Sequence, residues 1–134
     1  MGSEIRDHCE LKVSLPARSE NLRRIRRTVA DFAESLGLAE DRVADLRLAV
    51  NEACSNVVRH AYEAEGQMAV EAKAEGDYLV VTVHDTGRGL GAASADPGAG
   101  LGLRVARAVS ESMEIRGRAD GTEVKLAFPL ATAA

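Results

Sequence analysis

Glu52, Asn56 and His60 recur at a strict four-residue interval in the stretch NEACSNVVRHAY, residues 51–62. On a helix each four-residue step drifts by only about 40°, so carboxylate, amide and imidazole form one shallow ladder. A carboxylate can take a proton, an amide oxygen can ligate a hard cation, and an imidazole can reach an anion. Read alone, the ladder also fits a solvated polar flank beside the apolar residues Val50, Ala53, Cys54 and Val57.

Three more segments carry residues of this kind. In HDTGRGL, residues 84–90, Asp85 ends a strand-like run, and Gly87 and Gly89 let a ligand approach the backbone closely. In GAGLGL, residues 98–103, Gly98, Gly100, Leu101, Gly102 and Leu103 lead into a helix, whose first N–H groups and dipole favour an anion. In ADGTEVKLAF, Thr122 puts a hydroxyl at the start of the final strand. Singly, these are also a turn, a hinge and a hairpin. Neither familiar glycine fingerprint applies: no GxxxxGK[ST] occurs, and no GxGxxG joins a first strand to a first helix.

The elements that must position these residues follow from periodicity. Residues 8–15 alternate as a first strand closed by Pro16. Ser19 reads as the N-cap of a helix over 20–36, where Leu22, Ile25, Val29, Phe32 and Leu36 make one buried stripe and Gly37 ends it. Asp41 opens a second helix reaching Tyr62, with Val43, Leu46, Val50, Ala53, Val57 and Ala61 inward. Strands over 67–75 and 78–84 join through the turn EGD. Residues 86–100, rich in Gly and Ala with Pro97, read as a loop. A third helix over 101–112 buries Leu103, Val105 or Ala106, and Val109, and strands over 113–118 and 122–129 close the chain. The fold expected is α+β: a mixed or mostly antiparallel sheet of four or five strands with three helices on one face, a two-layer sandwich.

Composition narrows the function. A chain of 134 residues with 46% hydrophobic residues suits one domain with a real core. A net charge of −4 argues against a general nucleic-acid binder. Positive charge is concentrated nonetheless, in Arg18, Arg23, Arg24, Arg26 and Arg27. Cys9 and Cys54 make no CxxC or metal-ligand spacing, and Cys54 falls at a core position, as a free thiol would. No signal peptide opens the chain, and no apolar run reaches the roughly 18 residues of a membrane span, so a cytoplasmic protein is expected.

Taken in order, the Glu/Asn helix, the DxGxG, the glycine-rich stretch with GxGLGL and the GT of the last strand resemble the GHKL, or Bergerat-fold, ATPases, over most of residues 8–130. The short length and the form ExCSNxxxHAY look like the anti-sigma-factor serine kinases of the RsbW/SpoIIAB type. The resemblance implies a single ATP-binding domain over 1–134 with a mobile lid at 88–100. ATP is then held by Asn56, His60, Asp85, Gly87, Gly89, Gly98, Gly100, Leu101, Gly102, Leu103 and Thr122. Asp85 accepts the adenine amino hydrogen bond, helped by Thr122. Asn56 also ligates Mg²⁺, and Glu52 is the catalytic general base. Arg88 or Arg104 helps neutralise the triphosphate, since the lid stretch GAASADPGA lacks a basic residue.

The partners implied are a sigma factor, met partly through Arg23, Arg24 and Arg27, and an anti-anti-sigma antagonist phosphorylated on Ser or Thr. A homodimer is implied as well, and neither nucleic acid nor membrane is. Two alternatives share the motifs: an ATP-binding sequestering module with little kinase chemistry, and a stand-alone histidine-kinase catalytic domain.

Overall fold

The computed structural model describes residues 10–61, 66–85, 99–118 and 121–130. Strand β1 (Glu10–Pro16) is followed by a 3₁₀ turn (Ser19–Asn21) and helices α1 (Leu22–Ser35) and α2 (Glu40–Ala61). Then come β2 (Gln67–Glu75), β3 (Tyr78–Asp85), α3 (Ala99–Val109), β4 (Ser112–Arg118) and β5 (Gly121–Pro129). The five strands form one antiparallel sheet in the order β1-β2-β3-β5-β4. The α+β expectation of an antiparallel sheet with three helices therefore holds.

Alternation along the strands assigns the two faces. Met68, Val70 and Ala72 of β2, Leu79, Val81 and Val83 of β3, and Val124, Leu126 and Phe128 of β5 are all buried. They share one core with Ile25, Val29, Leu46, Val50 and Ala106 of the helices. Each large side chain so buried stabilises the fold by about 1.5–3 kcal/mol. The opposite face carries charge: Glu10 stands opposite Lys73, and Lys12 opposite Glu71. Lys12–Glu10 and Lys73–Glu75 close at 3.6 and 3.3 Å, exposed pairs that contribute little.

Helix ends differ from the sequence expectation where a local bond intervenes. Ser19 does not cap α1; it begins the 3₁₀ turn, and the residue before the helix is Asn21. The Asn21 side chain is used elsewhere, its Nδ2 donating to the Pro16 carbonyl at 2.8 Å. Pro16 itself fits because β1 is an edge strand. The other end of α1 is as expected. Gly37 takes φ 89°, its N–H bonds Glu34 O at 3.0 Å, and Leu38 N–H bonds Ala33 O at 3.1 Å, a Schellman closure.

Helix α3 begins two residues earlier than expected and ends sooner. Its glycines, Gly100 and Gly102, fall in the first turn, away from the helix interior where glycine costs most. At the other end Ser110 Oγ bonds Ala106 O at 2.8 Å, and the Glu111 N–H is already committed to Ala127 O of β5. Val105 is exposed while Ala106 is buried, which settles the alternative left open by spacing.

Candidate functional site

Asn56 is the informative member of the ladder. It is only 4% exposed, set among Ala53, Cys54 and Val57, and its Nδ2 is buried without a hydrogen-bond partner. Glu52, one turn earlier, is half-buried. The 40° drift per step explains the difference: it carries the row from the flank at Glu52 into the core stripe at Asn56. A solvated flank does not describe this side chain. Leaving a buried amide donor unpaired costs about 1–3 kcal/mol, so the position holds a polar group at the expense of stability.

Asp85 lies at the far end of β3 on the helix-facing side, 1% exposed. Its register partners are Met68 on β2 and Thr122 on β5. A carboxylate this deep beneath a helical layer is a rarity in an apolar core. Helix α2 packs on β3, and α3 packs on α2, so the helix that begins in the GxGLGL motif lies against the one bearing Glu52 and Asn56. The α1–α2 seam is pinned by Arg26 Nη1, which donates to Asn51 Oδ1 at 2.7 Å. Sequence reading missed Asn51; its one visible signal is an amide beside Glu52.

Several expected site residues fall outside this description. Gly87, Gly89, Gly98, Arg88 and the rest of the expected lid up to residue 98 lie outside the described residues. For His60, Leu101, Leu103 and Thr122 the backbone position is described and the side chain is not. Gly100 and Gly102 sit in the first turns of α3. Arg23, Arg24, Arg27 and Arg104 are exposed. Neither Glu20 with Arg24 nor Arg27 with Asp31 closes into an ion pair among the described residues.

The Asn56 amide oxygen is of the hard, neutral type that would suit magnesium, which would supply charge neutralisation to a bound phosphate. Asn56 offers a neutral carbonyl oxygen, and its orphaned Nδ2 offers a donor for an anion's oxygen. Among the described residues no three His, Cys, Asp or Glu side chains converge on a point. A cation held by Asn56 would complete its shell with phosphate and water oxygens. Cys54 takes no part: burial pushes its thiol up to about 12. A separate cleft of about 490 Å³ opens between Pro16, Arg18, Val58 and Gln67, and no candidate residue is among its described lining.

Comparison with known proteins agrees with this architecture. Residues 15–128 match the family described as the histidine kinase-like ATPase domain. The chain is similar to the serine-protein kinase RsbW of Bacillus cereus (strain Q1), 35% identical over 79 residues, which is 58% of this chain and 49% of the relative. It is also similar to the RsbW serine-protein kinase of Halalkalibacterium halodurans, 37% identical over 78 residues, 58% of this chain and 48% of the relative. The chain thus spans about half the length of the curated relatives it matches. Among solved structures it is similar to a chain holding the RsbU and RsbW domains of a Mycobacterium tuberculosis protein. The TM-score is 0.74 at 26% identity, covering 93% of this chain and 33% of that one.

Proposed function

Because the chain belongs to the histidine kinase-like ATPase family, we propose that it is an Mg-ATP-dependent protein serine/threonine kinase of the RsbW type. It phosphorylates a small antagonist protein and, in its other state, binds a sigma factor. The observation that carries this reading is the buried amide of Asn56, with an orphaned donor, one helical turn from the half-buried carboxylate of Glu52. A stabilising core position would hold an apolar residue there; an amide kept at a cost in stability fits a site for a polar ligand.

Each residue then has one task. Asp85 accepts the adenine amino hydrogen bond, which excludes guanine, and the Thr122 hydroxyl assists from the opposite strand. Asn56 holds Mg²⁺, and the magnesium, when bound, neutralises phosphate charge. The N–H groups at the start of α3 and Arg104 face the rest of that charge. Glu52 takes the proton from the acceptor hydroxyl as its oxygen bonds to the γ-phosphorus and the bond to ADP breaks. Phosphoryl transfer asks the protein mainly for positioning and electrostatics, which a rigid helix supplies.

Arg23, Arg24 and Arg27 support the second half of the reading. They are exposed on α1 and make no ion pair among the described residues, which leaves their charge available to an acidic partner. The deciding experiment incubates the protein with γ-labelled ATP, Mg²⁺ and a candidate antagonist. Label on a Ser or Thr of the antagonist is the expected result. Label on histidine, or release only as free phosphate with every antagonist tried, would reject the kinase reading.

A further inference from the structure

Arg26 is unlike the arginines around it. Arg23, Arg24 and Arg27 are exposed, whereas Arg26 is half-buried at the α1–α2 seam with its Nη1 2.7 Å from Asn51 Oδ1. Asn51 immediately precedes Glu52, so the guanidinium is anchored one residue from the carboxylate. It nevertheless forms no ion pair with it: among the described residues Glu52 makes neither an ion pair nor a hydrogen bond. Adjacent helical side chains diverge by about 100°, a gap that a long arginine stem can span when nothing holds its head.

We propose that Asn51 is a positioning residue, whose side-chain oxygen tethers Arg26 and keeps that guanidinium off the Glu52 carboxylate. The proposal rests on the reading of Glu52 as general base. An ion pair with an arginine stabilises the charged form of a carboxylate. Such a carboxylate is a weaker base toward a serine hydroxyl. Asn51 solves this with a neutral acceptor, which satisfies the guanidinium through a charge-assisted bond and leaves the neighbouring carboxylate outside an ion pair. A carboxylate at position 51 would also hold Arg26 but would place a second negative charge beside the base.

The test uses Asn51→Ala, Arg26→Met and the two combined, all on helix positions that accept these residues. Turnover is measured at saturating Mg-ATP and antagonist, with KM for each. Asn51→Ala should lower turnover roughly tenfold, with the KM for ATP little changed. Arg26→Met should leave turnover near that of the wild type, and adding it to Asn51→Ala should restore turnover. A double variant as slow as Asn51→Ala, or an Asn51→Ala variant as fast as wild type, would overturn the proposal. A second readout needs no activity: urea unfolding of Arg26→Met, Glu52→Gln and their combination, in both backgrounds. Their effects should add with Asn51 present and become non-additive in Asn51→Ala. Additivity in both backgrounds would overturn the tether. Non-additivity confined to Asn51→Ala, in a protein that phosphorylates no antagonist, would uphold the tether while rejecting the kinase reading.

Discussion

Asp85 and Thr122 stand directly opposite each other, the last register pair of the β3–β5 ladder. Two chain segments that are far apart in sequence thus end at the same point of the sheet, with Asp85 buried beneath the helical layer. If Asp85 reads the adenine amino group, Asp85→Asn replaces a charged acceptor by a group that is half donor. The loss of a charge-assisted bond of about 1.5–3 kcal/mol corresponds to roughly one to two decades in affinity. Calorimetry should show ATP binding reduced by that factor and discrimination against GTP reduced with it. Wild-type affinity in the variant would remove Asp85 from the site.

Asn56 gives the opposite signs in two measurements. Asn56→Leu removes an amide whose Nδ2 is buried and unpaired, and it keeps the branched shape with a modest gain in volume. The nucleotide-free protein should therefore be at least as stable, by up to about 1–3 kcal/mol in urea unfolding. On the proposed reading Mg²⁺-dependent ATP binding should fall to background, because its oxygen ligand would be gone. A residue retained for packing would lose stability and keep binding.

The contrast between these two residues and their surroundings shows what a sequence reveals. The stripe Ile25–Val29 and the alternation Leu79–Val81–Val83 announce their buried faces because large apolar side chains mark them. Ala30, Ala33 and Ala49 are equally buried, yet alanine is at home on either face and leaves no signal. The depth of Asn56 is a matter of 40° of rotation, which residue types near a stripe's border do not resolve. The Arg26–Asn51 bond joins positions 25 apart, and periodicity within each helix says nothing of how two helices align side by side. The start of α3 was displaced because glycine signals a loop, although the first turn of a helix tolerates it. The motifs themselves were legible since their chemistry is written in residue types.

Cys54 predicts a pH effect remote from the site chemistry. Desolvation raises its thiol from 9.0 to about 12 in the folded protein. The unfolded thiol ionises first as pH rises, so between about 9 and 12 the folded state binds more protons and loses stability with increasing pH. The slope from this group is roughly 1 kcal/mol per pH unit. Cys54→Ala should flatten the alkaline limb of a stability–pH curve, and the native thiol should react with an alkylating reagent only through unfolding. Rapid alkylation of the folded protein would contradict the burial.

Gly37 predicts a backbone effect alone. Its φ of 89° lies in the left-handed region, and a Cβ built there meets nothing within 4 Å. Gly37→Ala should therefore lower stability by about 1 kcal/mol through conformational strain without a steric clash. The α1 closure would loosen, and hydrogen exchange at the Leu38 amide, bonded to Ala33 O, should speed up. Unchanged thermal stability would mean the loop adopts another turn at no cost.

Glu52 separates kinase from binding module. It lies one helical turn from Asn56 but is half-buried where Asn56 is 4% exposed, as the proposed general base for an incoming hydroxyl has to be. Glu52→Gln keeps size and hydrogen-bonding capacity and removes the base. ATP affinity and sigma-factor binding should persist while phosphorylation of the antagonist falls by roughly 10²–10⁴-fold, the usual scale for losing general-base catalysis. Turnover with saturating antagonist, alongside a separate ATP titration, makes the distinction. Binding and transfer lost together would assign Glu52 to holding the site in shape, and transfer at the wild-type rate would require a different base. Only the split between the two measurements supports proton removal by this carboxylate.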